Sequence, residues 1–68
     1  MPEKIRKLKA KLRKAGFVYR QGKGSHTVWY DPSNPQNEVT LSGHDGKDAN
    51  KWQILLVNKA LEEKEWNH

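Results

Sequence analysis

The run Gly22-Lys23-Gly24-Ser25-His26 presents a proton-transfer side chain just ahead of the apolar stretch Val28-Trp29-Tyr30. Histidine has an unperturbed pKa of about 6.5, so it takes up and returns protons near neutral pH. Metal-free cleavage of RNA needs such chemistry twice. A base removes the proton of a 2′-hydroxyl so that this oxygen attacks the adjacent phosphate, and an acid protonates the departing 5′-oxygen. A positioned base is worth roughly 10²–10⁴ in rate. Gly24 lets a phosphate approach the backbone, and Ser25 offers a hydroxyl donor beside it. Taken alone, the tripeptide Gly-Ser-His equally describes a half-exposed strand histidine with no task.

The other reactive side chains are few. His44 stands beside Asp45 and either assists His26, binds phosphate or is simply solvated. His68 is the last residue of the sequence and reads as incidental. There is no cysteine, which excludes disulfides and thiolate metal sites. Three histidines without a spaced carboxylate cluster make a poor metal site, so neither metal nor cofactor is expected. Trp29 is either an exposed platform on which a base stacks or a half-buried strand aromatic. Tyr19 and Tyr30 read as strand aromatics, and Trp52, at helical spacing from Leu56, reads as core.

Charge points to a polyanionic partner. The net charge is +5 over 68 residues, but residues 1–26 carry +8 and residues 27–68 carry −3. A basic half set against an acidic tail favours RNA or DNA, though an acidic protein or an anionic membrane is drawn to the same surface. Lys7, Lys11, Lys14, Arg20 and Lys23 are the candidate phosphate contacts, joined by Gly24, Ser25 and His44. The longest apolar run, Ile54-Leu55-Leu56-Val57, is too short for a membrane span or a signal-peptide core. A single soluble domain over residues 1–68, cytoplasmic, is expected.

The elements that must hold these residues follow from periodicity. Ile5, Leu8, Leu12 and Ala15 form one stripe of a helix, with every Lys and Arg between them off that stripe. Gly16 supplies the left-handed residue that ends it. Phe17 to Arg20 reads as a strand, Gln21 to Gly24 as a turn and Ser25 to Tyr30 as a second strand. Residues 31–37 are dense in turn formers and are expected not to continue a strand. Glu38 to Ser42 alternates, pointing Val39 and Leu41 inward. Asp48, or in competition Asp45, caps a final helix running to about Glu65, with an inward stripe drawn from Trp52, Leu56, Ala60, Val57 and Leu61. If Val28 faces the helices, strand alternation puts His26 at the rim of the core unless a bulge re-aims it, and the face of His26 stays open. The order α-β-β-β-α predicts an α+β domain whose two helices cover one face of a three-stranded antiparallel sheet.

Together, Ala15-Gly16-Phe17 closing a lysine-rich helix, Arg20-Gln21 ahead of Gly24-Ser25-His26, His44 after the third strand, and Gly46-Lys47 leading to the last helix resemble the HicA toxins, also described as YcfA-like proteins. The resemblance covers about residues 5–61. It implies a fold similar to double-stranded-RNA-binding domains, cleavage of mRNA, and neutralisation by a HicB antitoxin. It further implies that His26 is the catalytic histidine, flanked by Gly24 and Ser25, with His44 matching the histidine after the third strand. Asn50-Lys51-Trp52-Gln53 departs from the Gly-Thr-Leu-Arg-like stretch common there, and the tail from Glu62 to His68 is longer than usual. Two readings of other classes compete: a noncatalytic RNA-binding module of the same fold, and a protein-interaction domain whose basic face meets an acidic partner.

Overall fold

The computed structural model describes residues 3–66, and His68 lies outside them. Helix α1 spans Ile5–Lys14 and buries Ile5, Leu8 and Leu12, the stripe predicted from spacing. No side chain caps its start. Instead the Ile5 amide donates to the Lys47 carbonyl (2.9 Å) and the Arg6 amide to the Asp45 carbonyl (3.1 Å), which satisfies donors that a helix start otherwise leaves free. Its end is a Schellman turn. Gly16, at φ 95°, donates to the Arg13 carbonyl, and Phe17 donates to the Leu12 carbonyl.

Three antiparallel strands follow in the order β1-β2-β3: β1 Val18–Gln21, β2 Thr27–Asp31 and β3 Asn34–Leu41. In β2 the buried residues are Thr27, Trp29 and Asp31, while Val28 and Tyr30 are half-buried. The register explains this parity. Trp29 pairs with Val39 and Thr27 with Leu41, so the apolar residues of β3 carry their partners onto the same face. Trp29 is therefore core, with its indole N–H donating to the Thr27 hydroxyl at 3.0 Å. Val28 does not face the helices.

The stretch 31–37 differs from expectation. Only Pro32 and Ser33 turn, and β3 already begins at Asn34. Asp31 makes the tight turn possible: its Oδ1 accepts from the Ser33 amide (3.0 Å) and the Ser33 hydroxyl (2.7 Å), an Asx turn that frees the next residues to extend. Pro35 is tolerated because β3 is an edge strand.

Helix α2 runs Lys51–Trp66. Neither Asp48 nor Asp45 caps it. Asn50 Oδ1 accepts from the Gln53 amide (2.8 Å) while Gln53 Oε1 accepts from the Asn50 amide (3.1 Å), a reciprocal capping box. Asp48 pairs instead with Lys4 at 2.7 Å. The Gln53 side chain also donates to the Ser42 carbonyl and hydroxyl, so residue 53 faces the sheet together with Val57 and Ala60. Trp52 lies about 100° away around the helix and is 66% exposed, which corrects its assignment to the core. Leu56 and Leu61 are half-buried against the core.

Ile5, Leu8, Leu12, Phe17, Trp29, Val39, Leu41, Ala49, Val57 and Ala60 form one apolar cluster, so both helices cover the same sheet face. The other face, carrying Val18, Arg20, Val28, Tyr30, Glu38 and Thr40, has no helix over it. This is the α+β, double-stranded-RNA-binding-domain-like architecture.

Candidate active site

His26 sits one residue before β2, at the end of the turn from Gly22, and is exposed. Thr27, Trp29 and Asp31 take the helix-covered face, so His26 is not drawn into the rim of the core. The turn closes through two backbone bonds: the Gly22 amide to the His26 carbonyl (2.9 Å) and the His26 amide to the Lys23 carbonyl (3.0 Å). Gly24 holds φ 59°, and the space where a Cβ would stand is open, so a ligand can come directly against this backbone. At Gly22 a Cβ would meet His26 Cβ at 3.2 Å and the His26 carbonyl at 3.3 Å.

Ser25 does more than flank the histidine. Its hydroxyl accepts from the Gly43 amide at 3.1 Å, and the next residue back, Ser42, receives Gln53 of α2. Two consecutive residues after β3 thus tie the histidine turn to the start of α2. The loop continues through His44, which is exposed, and its carbonyl accepts from the Lys47 amide at 2.9 Å. Beyond it, residues 45 and 47 hold the start of α1. His26, Lys23, Gly24, Ser25 and His44 are thereby gathered at the end of the molecule where α1 and α2 both begin.

The helical lysines do not act as one patch. Lys11 pairs with Glu3 at 2.6 Å, and Lys7 approaches the same carboxylate at 3.9 Å. Lys14 is exposed at the far end of α1, about 13 Å along the axis from Ile5. Arg20 lies on the uncovered sheet face, 3.5 Å from Glu38 and 5.6 Å over the Tyr30 ring. Among the described residues Arg6, Arg13, Lys14, Lys23, Lys47, Lys51 and Lys59 are exposed without an ion pair. Glu3 is the one acid at helical spacing from these lysines, and another carboxylate comes from the loop before α2: Lys9 meets Asp45 at 2.6 Å. The bond from Lys9 and its charge, with smaller help from Arg13 and Arg6, hold the Asp45 carboxyl below the usual carboxylate range.

Sequence reasoning missed Gln21, whose side-chain amide donates to the carbonyls of Gly24 (3.1 Å) and His26 (3.2 Å). The available signal was a long amide at the end of a strand, next to a glycine-rich turn whose carbonyls need donors. It also missed Lys4, Lys9 and Lys47, which the joining of α1 to residues 45–49 brings to the histidine end. A groove of about 380 Å³ between β3 and α2, floored by Val39, Leu56 and Ala60, contains none of the candidate residues. Among the described residues no group of three or more His, Asp or Glu is arranged to hold a metal ion, and no helix is long and apolar enough to cross a membrane.

An exposed imidazole on a glycine turn, beside an unpaired lysine and a second histidine loop, is an arrangement suited to acid–base work on a phosphate polymer. A comparison with curated proteins finds no match. Comparison with known families matches residues 5–66 to the one described as HicA toxin of bacterial toxin–antitoxin. With its fold and nearly its whole length in agreement, the chain belongs to the HicA toxin family, the toxin side of a toxin–antitoxin system whose partner is an antitoxin.

Proposed function

We propose that this chain is an endoribonuclease that cleaves mRNA without a metal, with His26 as its general acid/base. What carries the reading is the exposed His26 on a turn whose Gly24 backbone is open to approach, next to the unpaired Lys23. The neutral imidazole takes the proton of a 2′-hydroxyl. That oxygen forms a bond to the adjacent phosphorus, the bond to the 5′-oxygen breaks, and the imidazolium gives its proton to the leaving 5′-oxygen, which restores the neutral ring. The products are a 2′,3′-cyclic phosphate and a 5′-hydroxyl. His26 acts as base or, once protonated, as the acid. Lys23, with Gly24 and Ser25, holds phosphate at the scissile position, and His44 contacts the strand beside it. Lys7, Lys11, Lys14 and Arg20 bind more distant phosphates, Lys7, Lys11 and Arg20 by exchanging their carboxylate partners for the polymer. A HicB-like antitoxin neutralises the toxin by covering this end.

Replacement of His26 by Ala tests the mechanism. His26→Ala is expected to lower RNA cleavage by at least about 10²-fold and to relieve growth arrest, while fold and RNA affinity stay within about twofold. Cleavage at the native rate overturns the assignment. RNA binding with no cleavage by the unsubstituted chain makes it a noncatalytic module instead.

A further inference from the structure

We infer that Gln21 is a positioning residue for His26, acting as a side-chain clamp on the turn that presents the imidazole; this rests on the nuclease reading above. The turn has only two backbone bonds of its own, between Gly22 and His26 and between His26 and Lys23. Its glycines at 22 and 24 leave it otherwise free to change shape. Gln21 supplies what is lacking. One Nε2 donates to the carbonyls of Gly24 and His26, at 3.1 and 3.2 Å, so it fixes both ends of the Gly24–His26 segment against the last residue of β1. The backbone of Gln21 is itself paired opposite Thr27, the first residue of β2, so the clamp is anchored in the sheet. Ser25, between the two clamped carbonyls, is held from the other side by Gly43.

Gln21 is exposed and contributes nothing to the apolar core. Its bonds go to the catalytic turn rather than to the rest of the fold. A displacement of about 1 Å in a catalytic group costs on the order of 10²-fold in rate, so even a partial loosening is readable in kcat. Gln21→Glu is the sharpest probe, because the carboxylate keeps the shape but cannot donate, and it sets lone pairs against two carbonyl oxygens.

Steady-state cleavage of a short RNA and amide hydrogen exchange are measured on the full chain, for the native protein, Gln21→Glu and Gln21→Ala. The clamp predicts that kcat falls about tenfold or more with KM within about twofold. It also predicts that the amides of Gly22 and His26 exchange about tenfold faster while those of α1 and β3 are unchanged. In a His26→Ala background, Gln21→Glu should cause no further loss of rate. A kcat within twofold of native, or a rise in KM alone as for a direct RNA contact, overturns the inference. If the native chain does not cleave RNA, it is the proposed activity that fails; unchanged exchange at Gly22 and His26 then overturns the clamp, and accelerated exchange sustains it.

Discussion

At the scale of single residues, two tryptophans have opposite fates, one between Val28 and Tyr30 in a strand and one between Lys51 and Gln53 at the start of a helix. Trp29 is 1% exposed, with Tyr19 at 5.0 Å between ring centroids and the Arg13 guanidinium 5.6 Å over its ring. Trp52 stands on the outer side of α2. Removing a buried aromatic typically costs about 3–5 kcal/mol, while surface changes stay within about 0.5 kcal/mol. A domain of this length has a total stability of roughly 3–10 kcal/mol. Trp29→Ala should therefore lose about a third or more of the total stability and melt far below the native chain, and Trp52→Ala should melt within a few degrees of it; circular dichroism melts check both. Alternation in β2 could not decide Trp29 because either parity buries an apolar residue. The missing fact was the register with β3, which pairs Trp29 with Val39. Trp52 was misread because a bonded polar residue, Gln53, sets the rotation of α2, and hydrophobic spacing carries no sign of that.

Asp31 gives a residue-level pH dependence. Its side chain is 3% exposed. The Ser33 hydroxyl bond, aided by the Ser33 amide and by Lys64 at 3.2 Å, outweighs desolvation and holds its carboxyl below the ordinary carboxylate range. A carboxyl whose pKa is lower folded than unfolded adds stability at neutral pH, and that stability is lost as pH falls from about 4 through the lowered value. Asp31→Asn should be less stable than the native chain at pH 7, with the difference shrinking toward pH 2 in urea titrations. A constant difference across that range would show that the charge is not what holds the turn.

Among the elements, α1, the order of the strands and the two helices were legible because each rests on periodicity and on a stop signal such as Gly16. The boundaries that failed depend on side-chain bonds within four residues. One is the Asx turn at Asp31, which shortens a seven-residue loop to two residues. The other is the Asn50–Gln53 capping box. Asparagine is as good a cap as aspartate, and glutamine three residues on completes the pair, so the signal was present and lost to two nearby aspartates. Asn50→Ala is expected to cost about 0.5–2 kcal/mol in chemical denaturation. Asp48→Ala should cost no more than about 1 kcal/mol, since its exposed pair with Lys4 is screened by water. At the site, the cluster of His26, Gly24, Ser25 and Lys23 was legible as contiguous sequence. The clamp from Gln21 and the bond between Ser25 and Gly43 were not, because they depend on where a side chain reaches after folding.

For the whole molecule, charge separation by sequence half becomes a finer pattern. Three of the six cations of α1, Lys7, Lys9 and Lys11, face the carboxylates of Glu3 and Asp45, whereas Lys23, three residues before His26, has no carboxylate partner. Affinity for single-stranded RNA should fall with salt at a log–log slope near −0.7 for each phosphate neutralised. Lys23→Ala is expected to reduce that slope by about 0.7 in fluorescence anisotropy titrations. An unchanged slope would show that this lysine does not meet phosphate.

The stitch between residues 3–5 and 47–49 has a practical corollary for anyone expressing the protein. The Glu3 carbonyl accepts from the Ala49 amide at 2.7 Å, which sets residue 3 beside the segment that follows His44. A fusion joined downstream begins about 22 Å further along α2, near the buried Asp31–Lys64 corner. On the proposed nuclease reading, an affinity handle on the upstream side starts at the histidine end and is expected to lower cleavage, whereas a downstream handle starts at the other end of α2 and is expected to leave the rate unchanged.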